Sequence, residues 1–242
     1  VPFLCPGVNK QNNAFVPTGM RVTMLKIPAT LICTCLLWFA CKKEKSIEGS
    51  AKVDLGNCNY RLYGKGSSST LETILNTGEV FTETATVDKD TSINNTRFTR
   101  ILVQSSVGID TVYEHCNNGA YFRLGKGNRR GIGVDDYFVL NYLYVDQLVG
   151  TAWNDTIRAA TVFGNAEAVL YYKIEQTGMQ KVVHLDTFQN VIQIRTDYKF
   201  TVTGFPEQSG YFSTSYYAPL VGEIETDRET DTTRIKSYHI ND

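Results

Sequence analysis

The chain has 242 residues, with 24 Lys plus Arg against 25 Asp plus Glu and a formal net charge of −1. A near-neutral balance without a basic run gives no electrostatic case for nucleic-acid binding. The part of the chain from Cys41 to Asp242 suits one domain and is somewhat short for two separate cores.

In chain order, residues 1–19, "VPFLCPGVNKQNNAFVPTG", lack an initiating Met and any clear periodicity, and they read as an upstream extension outside the exported product. Met20, Arg21 and Lys26 then supply a start and a short basic region, and Ile27 to Ala40 is apolar apart from Thr30 and Thr34. That is the pattern of an export signal over residues 20–40; Met24 serves equally well as a start. A membrane span needs about 20 apolar residues, and Lys42 and Lys43 close this run early. A retained anchor and a buried core helix are the alternatives, but a helix apolar on all sides has no face for water.

In "LLWFACKKEK" Ala40 precedes Cys41, as in bacterial lipoprotein signals, where the cysteine takes the lipid and becomes the mature N-terminus. Trp38 stands where such signals usually carry Leu, and "CKKEK" looks like the lysine-rich start of many lipoproteins from the Bacteroidota group. Cys41 is therefore the expected acylated (palmitate-bearing) residue. Each buried lipid CH₂ contributes about 0.8 kcal/mol, and durable attachment takes more than one chain. The alternative is ordinary secretion. Removing residues 1–40 takes away Lys10, Arg21 and Lys26 and no acid, so the mature chain is more acidic than the whole. Residues 41–56 read as a tether and 57–242 as a single β domain.

Besides Cys41, that product keeps Cys58 and Cys116. In an oxidising compartment they are the expected disulfide, with two separate buried thiols as the alternative. "CNYRLYG" alternates loosely and "KGSSST" reads as a flexible turn. In "GEVFTETATVDKD", Val80, Thr82, Thr84 and Thr86 alternate with Phe81, Glu83, Ala85 and Val87. "NNTRFTRILVQSS" and "GIDTVYEHC" follow as strands joined across Ser105 to Gly108, and the Asn-Gly of "NNGAYFRLG" is a hairpin signal. "GKGNRRGIGVDD" is loop-like. "VLNYLYVDQLVG" is ambiguous, since Gly150 suits a helix cap or a strand turn. "EAVLYYKIEQTG", "NVIQIRTDYKFTVTG", "GYFSTSYYAPLVGEIETDRE" and "DTTRIKSYHI" are rich in β-branched and aromatic residues.

The expected fold is all-β: an antiparallel meander forming a strongly curved sheet or half-barrel, because an open sheet must curl, close or be covered. A β-sandwich is the alternative.

The C-terminal portion carries a family resemblance. "YVDQLVGTAW", "LDTFQNVIQI" and "YYAPLVGEIETD…RIKSY" resemble, in order, three marks of uncharacterised Bacteroidota lipoproteins. Gly150, Thr151 and Trp153 match the first mark. Thr187, Phe188, Asn190 and Val191 match the second, and Tyr216, Tyr217, Ala218, Val221 and Gly222 the third. The resemblance covers roughly residues 144–238; the "G-x-x-W-x-Y" start of the family is not visible near Asn59 to Lys65. It implies a curved antiparallel sheet similar to periplasmic lipoprotein carriers, and no chemistry. From the residues themselves, Trp153 reads as a core or rim aromatic with ligand stacking as the alternative. Tyr216 and Tyr217, being adjacent, must point to opposite faces.

No catalytic constellation emerges. His115, His184 and His239 are scattered, and no G-x-S-x-G marks a nucleophile. "GKGNRRGIG" lacks the spacing of a phosphate loop, and no metal or cofactor motif is present. Asp135 and Asp136, like "TDRETDTT", read as solvated turns. "DTV", "DTI" and "DTT" resemble the O-glycosylation triplet of Bacteroidota, with Thr111, Thr156 and Thr232 as candidate carriers. The expected function is a noncatalytic envelope lipoprotein, held on a membrane by its N-terminal lipid, that binds an apolar ligand or another envelope protein. The expected location is the outer membrane, on its periplasmic or surface face, with a lipid, glycan or envelope protein as partner. The alternatives are an envelope enzyme acting on polysaccharide or lipid and a purely structural envelope protein.

Overall fold

The computed structural model describes residues 56–126, 137–161 and 164–241. Residues 1–55, with the expected signal, Cys41 and the expected tether, and residues 127–136, with Asp135 and Asp136, lie outside them.

Twelve strands form one antiparallel sheet. They are β1 (Ser68–Leu75), β2 (Val80–Ile93), β3 (Thr96–Ser105), β4 (Gly108–Asn117), β5 (Ala120–Lys126), β6 (Tyr137–Tyr144), β7 (Ala152–Thr161), β8 (Gly164–Val183), β9 (Asp186–Val202), β10 (Gln208–Ala218), β11 (Gly222–Asp227) and β12 (Asp231–His239). The strand order is β6-β5-β4-β3-β2-β1-β12-β11-β10-β9-β8-β7. Two meanders of consecutive strands are thus joined where the first strand pairs with the last, Ser68 opposite His239 through Leu75 opposite Asp231. The sheet curls into a nearly closed barrel with one unsealed seam, between β6 and β7. The all-β expectation of a strongly curved meander holds, and the sandwich alternative does not.

Local chemistry explains the hairpins. Asn94 and Asn95 turn β2 into β3 at φ 49° and 64°, and Asn118 and Gly119 turn β4 into β5 at φ 47° and 79°. Consecutive positive φ values define the tight turn that matches strand twist, and Asn and Gly tolerate them best. "VLNYLYVDQLVG" resolves into β6 and a turn ending at Gly150, φ 91°, because Leu143 and Tyr142 are buried by a neighbouring strand. "KGSSST" is not a flexible turn throughout. Ser67 is fully buried, and β1 begins at the next residue. Gly178, which reads as the end of a strand, lies inside β8. The β8–β9 register shifts on both sides of it, and the chain reverses at His184 and Leu185.

The principal core lies between the walls of the barrel and contains Tyr60, Tyr121, Tyr142, Leu143, Tyr172, Ile174, Ile192, Ile194 and Tyr217. A second cluster forms where the far end of the β8–β9 hairpin, through Val183, Phe188 and Val191, packs on Ala218, Val221, Ile224 and Ile235. There Lys181 reaches Glu225 at 2.7 Å and sits 3.5 Å over the Tyr216 ring, so the hairpin end folds across β10 and β11.

Candidate functional site

Residues 57–67 form no strand of their own and carry Tyr60 into the main core. Cys58 is joined to Cys116 at the end of β4, with Cα atoms 5.7 Å apart. The Tyr121 hydroxyl accepts from the Tyr60 amide at 2.7 Å and donates to the Asn57 carbonyl at 3.0 Å. On the opposite wall the Tyr60 hydroxyl donates to the Asn190 carbonyl at 2.5 Å, and the Leu220 amide donates to the Asn59 carbonyl at 2.5 Å. Gly66 then donates to Val87 on β2. Burial raises the Tyr60 phenol, with a smaller contribution from Asp146, and pushes Tyr121 well above the ordinary tyrosine value. Both are therefore fixed neutral hydrogen-bonding groups.

Two polar rows follow from the registers. Asp90, Thr99, Glu114 and Arg123 are successive cross-strand partners on β2 to β5 and share one face. Ser215, Thr226, Thr233 and Thr73 do the same on β10, β11, β12 and β1. Arg123 binds Glu114 at 2.8 Å and lies 4.9 Å over the ring of the core residue Tyr142. Burial opposes its charge, but the nearby Glu114, Tyr142, Glu223 and Tyr217 more than offset that and keep it protonated. Although densely surrounded, the Arg123 side chain keeps 41% of its surface accessible. In the second row the Ser215 and Thr226 hydroxyls are 2.8 Å apart, those of Thr73 and Thr233 2.9 Å, and Thr226 donates to Glu223 at 2.7 Å. Hydroxyl pairs across a sheet satisfy polar groups that burial would otherwise leave costly.

The seam is held by side chains instead of a backbone ladder. Asn141 on β6 donates its amide N–H to Asp155 Oδ2 at 2.6 Å, and its carbonyl accepts the Trp153 indole N–H at 2.6 Å. Trp153 is stacked on Tyr172 with centroids 5.4 Å apart and meets Tyr144 edge-on at 4.9 Å. Burial raises the Asp155 carboxyl, partly offset by the Asn141 hydrogen bond. Asn141 Oδ1 is buried without a partner.

Two open concavities border these features. One, of about 640 Å³, lies among Arg158, Asn165, Glu167, Thr201 and Thr203, where Arg158 and Glu167 are already paired at 2.7 Å. The other, of about 440 Å³, lies between the 61–65 segment and the β2–β3 hairpin, and Arg61, Lys65, Lys89, Asp90, Arg97 and Thr99 line it. Neither cavity is lined by two carboxylates, the minimum for glycoside hydrolysis. Among the described residues no group of His, Cys, Asp and Glu could hold a metal ion. No helix there is long and apolar enough to cross a membrane.

The residues singled out from sequence are dispersed. Trp153 clasps the seam and is partly buried against the core. Tyr217 enters the main core, 5.7 Å from Tyr142, whereas Tyr216 belongs to the second cluster beneath Lys181. Thr111 and Thr232 are half-buried and Thr156 is exposed. The sequence reading missed Arg61, Asn141 and Arg123. Their neighbours come from other strands, so no local spacing reports them.

Neither a family model nor a curated protein matches the sequence. Among solved structures the chain is similar to bacterial proteins described as lipoproteins or exported proteins. The chain is similar to "a putative lipoprotein" from Parabacteroides distasonis at 12% identity and a TM-score of 0.52, over 75% of this chain and 98% of that one. A "putative exported protein with YmcC-like fold" from Bacteroides fragilis matches at 12% identity and a TM-score of 0.46, over 75% and 99%. The hypothetical lipoprotein YmcC of Escherichia coli matches at 12% and 0.31, over 74% and 90%. At 12% identity the likeness to the Parabacteroides protein is one of fold.

Proposed function

We propose that the protein is a noncatalytic, lipid-anchored module of a bacterial envelope that binds a polar envelope component. The observation that carries the binding reading is the chemistry around Arg123. Its partly accessible side chain lies in the charged row beside Glu114 and near Glu223, and over the core tyrosine Tyr142. The hydroxyls and carboxylates of the two polar rows already pair with one another, but an acyl chain laid on the accessible face of the Arg123 guanidinium would strip water from a charge, so a polar partner such as a glycan fits better. The anchoring half rests on the apolar run ending at Cys41 and on the fold shared with the Parabacteroides protein. Against an enzyme, Glu114 is bound by Arg123 and Glu223 by Thr226, so each inward carboxylate already has a donor.

Native mass spectrometry of the protein extracted from its own membrane tests both halves. The expected result is an acylated N-terminal Cys41 and a retained polar molecule. A soluble product cut elsewhere sinks the anchor, and a co-purified acyl chain inside the barrel sinks the polar-partner reading.

A further inference from the structure

We propose that the 440 Å³ cleft between residues 61–65 and the β2–β3 hairpin is a binding site for a phosphate group, with Arg61 at its centre.

The charge balance of the cleft is the first observation. Arg61, Lys65, Lys89 and Arg97 line it, and Asp90 is its one acid. Both oxygens of that acid are already occupied. Asp90 Oδ2 accepts Arg97 Nε at 3.0 Å as well as the second Arg97 nitrogen, and Oδ1 accepts the Thr99 hydroxyl at 3.0 Å. Burial would raise this carboxyl, but hydrogen bonds from Arg97 and Thr99 and the charges of Arg97 and Arg61 hold it below the usual range. Asp90 is thus ionised at neutral pH, and each of its oxygens already accepts a hydrogen bond. Arg61, Lys65 and Lys89 form no ion pair with a carboxylate among the described residues, Arg61 acting on Asp90 only through its field.

The second observation is independent of charge. Arg61 Nε is buried and has no hydrogen-bond partner, although Arg61 Nη1 donates to Thr99 at 3.1 Å. A buried guanidinium N–H left unpaired is costly. An oxyanion in the cleft that Arg61 lines would neutralise the excess charge, and its field would offset part of that cost without contact to the inaccessible Nε. Arginine presents its donors in a fixed fork that suits phosphate oxygens, and lysine adds point charges. A volume of about 440 Å³ is the size of a small-molecule site. It admits a phosphate together with the group that carries it. The site is also held in place: the Cys58–Cys116 bond fixes one side of the 57–67 segment, and the backbone of Arg61 abuts Gly222 on the other.

This inference rests on the reading of the protein as a binding module for a polar molecule and names the charged part of that molecule. Inorganic phosphate and a headgroup-type ester would present the same oxyanion. Calorimetric titration of the full-length chain with inorganic phosphate, glycerol 3-phosphate and acetate separates them. Saturable binding of glycerol 3-phosphate, about tenfold weaker in Lys65→Gln and in Lys89→Gln and absent for acetate, is the expected result. Binding of inorganic phosphate with the same losses supports the site and assigns it to the free ion. Arg61→Gln should abolish binding; because Arg61 also supports Thr99, the two lysine variants, which break no ion pair, decide the matter if that protein does not fold. No saturable phosphate binding, or equal binding in both lysine variants, overturns the proposal. A neutral glycan retained in native mass spectrometry alongside that failure would leave the binding-module reading standing without the phosphate.

Discussion

The indole N–H of Trp153 donates to the carbonyl of Asn141 at 2.6 Å, and this bond spans the seam of the sheet. Two residues further along β7, Asp155 accepts the amide of the same Asn141, so both backbone polar groups of one edge residue are taken by side chains of the other edge. An edge strand otherwise offers its amides and carbonyls to foreign strands.

Trp153→Phe should keep most of the stacking on Tyr172 and leave the Asn141 carbonyl unpaired. A loss of about 1–3 kcal/mol is expected, read as a lower urea midpoint at unchanged slope. Hydrogen exchange should quicken along β6 and β7 and stay as it was at β1 and β12. Uniform change across the sheet would show that the bond is not what holds the seam.

Asp155 and Asp90 should shift stability with pH in opposite directions. Asp155 is raised by burial, so its native form holds a proton that the unfolded chain has released. Its contribution is therefore present below the unfolded value of about 3.9 and fades as pH rises through its native value. Asp90 is lowered, so its contribution is present above about 3.9 and is lost as pH falls through its native value. Asp155→Asn should remove the first slope and Asp90→Asn the second, in urea denaturation followed from acid to neutral pH. Unchanged curves for either variant would refute that assignment.

The Cys58–Cys116 bridge closes a loop with a sequence separation of 58. A chain-entropy estimate for that length is about 4 kcal/mol. Replacing both cysteines with serine should cost stability of that order and loosen residues 57–67 first. Peptide mapping without reductant would find the linked pair, and recovery of two free thiols from oxidising conditions would remove the basis of this prediction.

Gly222 has φ 87°, and a Cβ there would stand 3.3 Å from Arg61 Cα. Gly222→Val should therefore cost about 1–3 kcal/mol through backbone strain and displace Arg61 as well. Thermal melting followed by circular dichroism reads the first effect. Removing residues 216–242 takes away β11, β12 and the partner of β1, so cooperative melting should disappear. A truncated chain that melts like the parent would mean that the closing hairpin is an appendage.

Glu225 is buried between Lys181 at 2.7 Å and Arg234 at 2.9 Å. Glu225→Gln should destabilise by about 1–3 kcal/mol, below the range for a fully buried pair, because Arg234 is partly exposed and can rehydrate. Lys181→Met should cost less, since Glu225 keeps Arg234. The reverse order in chemical denaturation would contradict this account of how the β8–β9 hairpin end is pinned.

Much of the strand pattern is legible in the sequence because alternation and turn chemistry act between near neighbours. The Asn-Gly at 118–119 and the alternation in Val80 to Val87 announce their hairpin and strand without reference to the rest of the chain. The His184–Leu185 reversal is not legible, since a histidine at φ 52° is held there by the packing of Val183 and Phe188 and by no turn signal of its own. Nor does local pattern say which strands meet at long range. Here β1 pairs with β12, whereas the consecutive strands β6 and β7 face each other across the seam. Closing a long loop adds only slowly to the entropy cost, so total burial, and not sequence distance, chooses that closure. The candidate sites follow the same division. Cys58 and Cys116 stand out as residue types, but Arg61, Thr99 and Asp90 become a charged cleft only when the segment ahead of β1 is laid across the β2–β3 hairpin. Charge excess in a cleft is a property of which side chains are brought together, and that is set by tertiary packing.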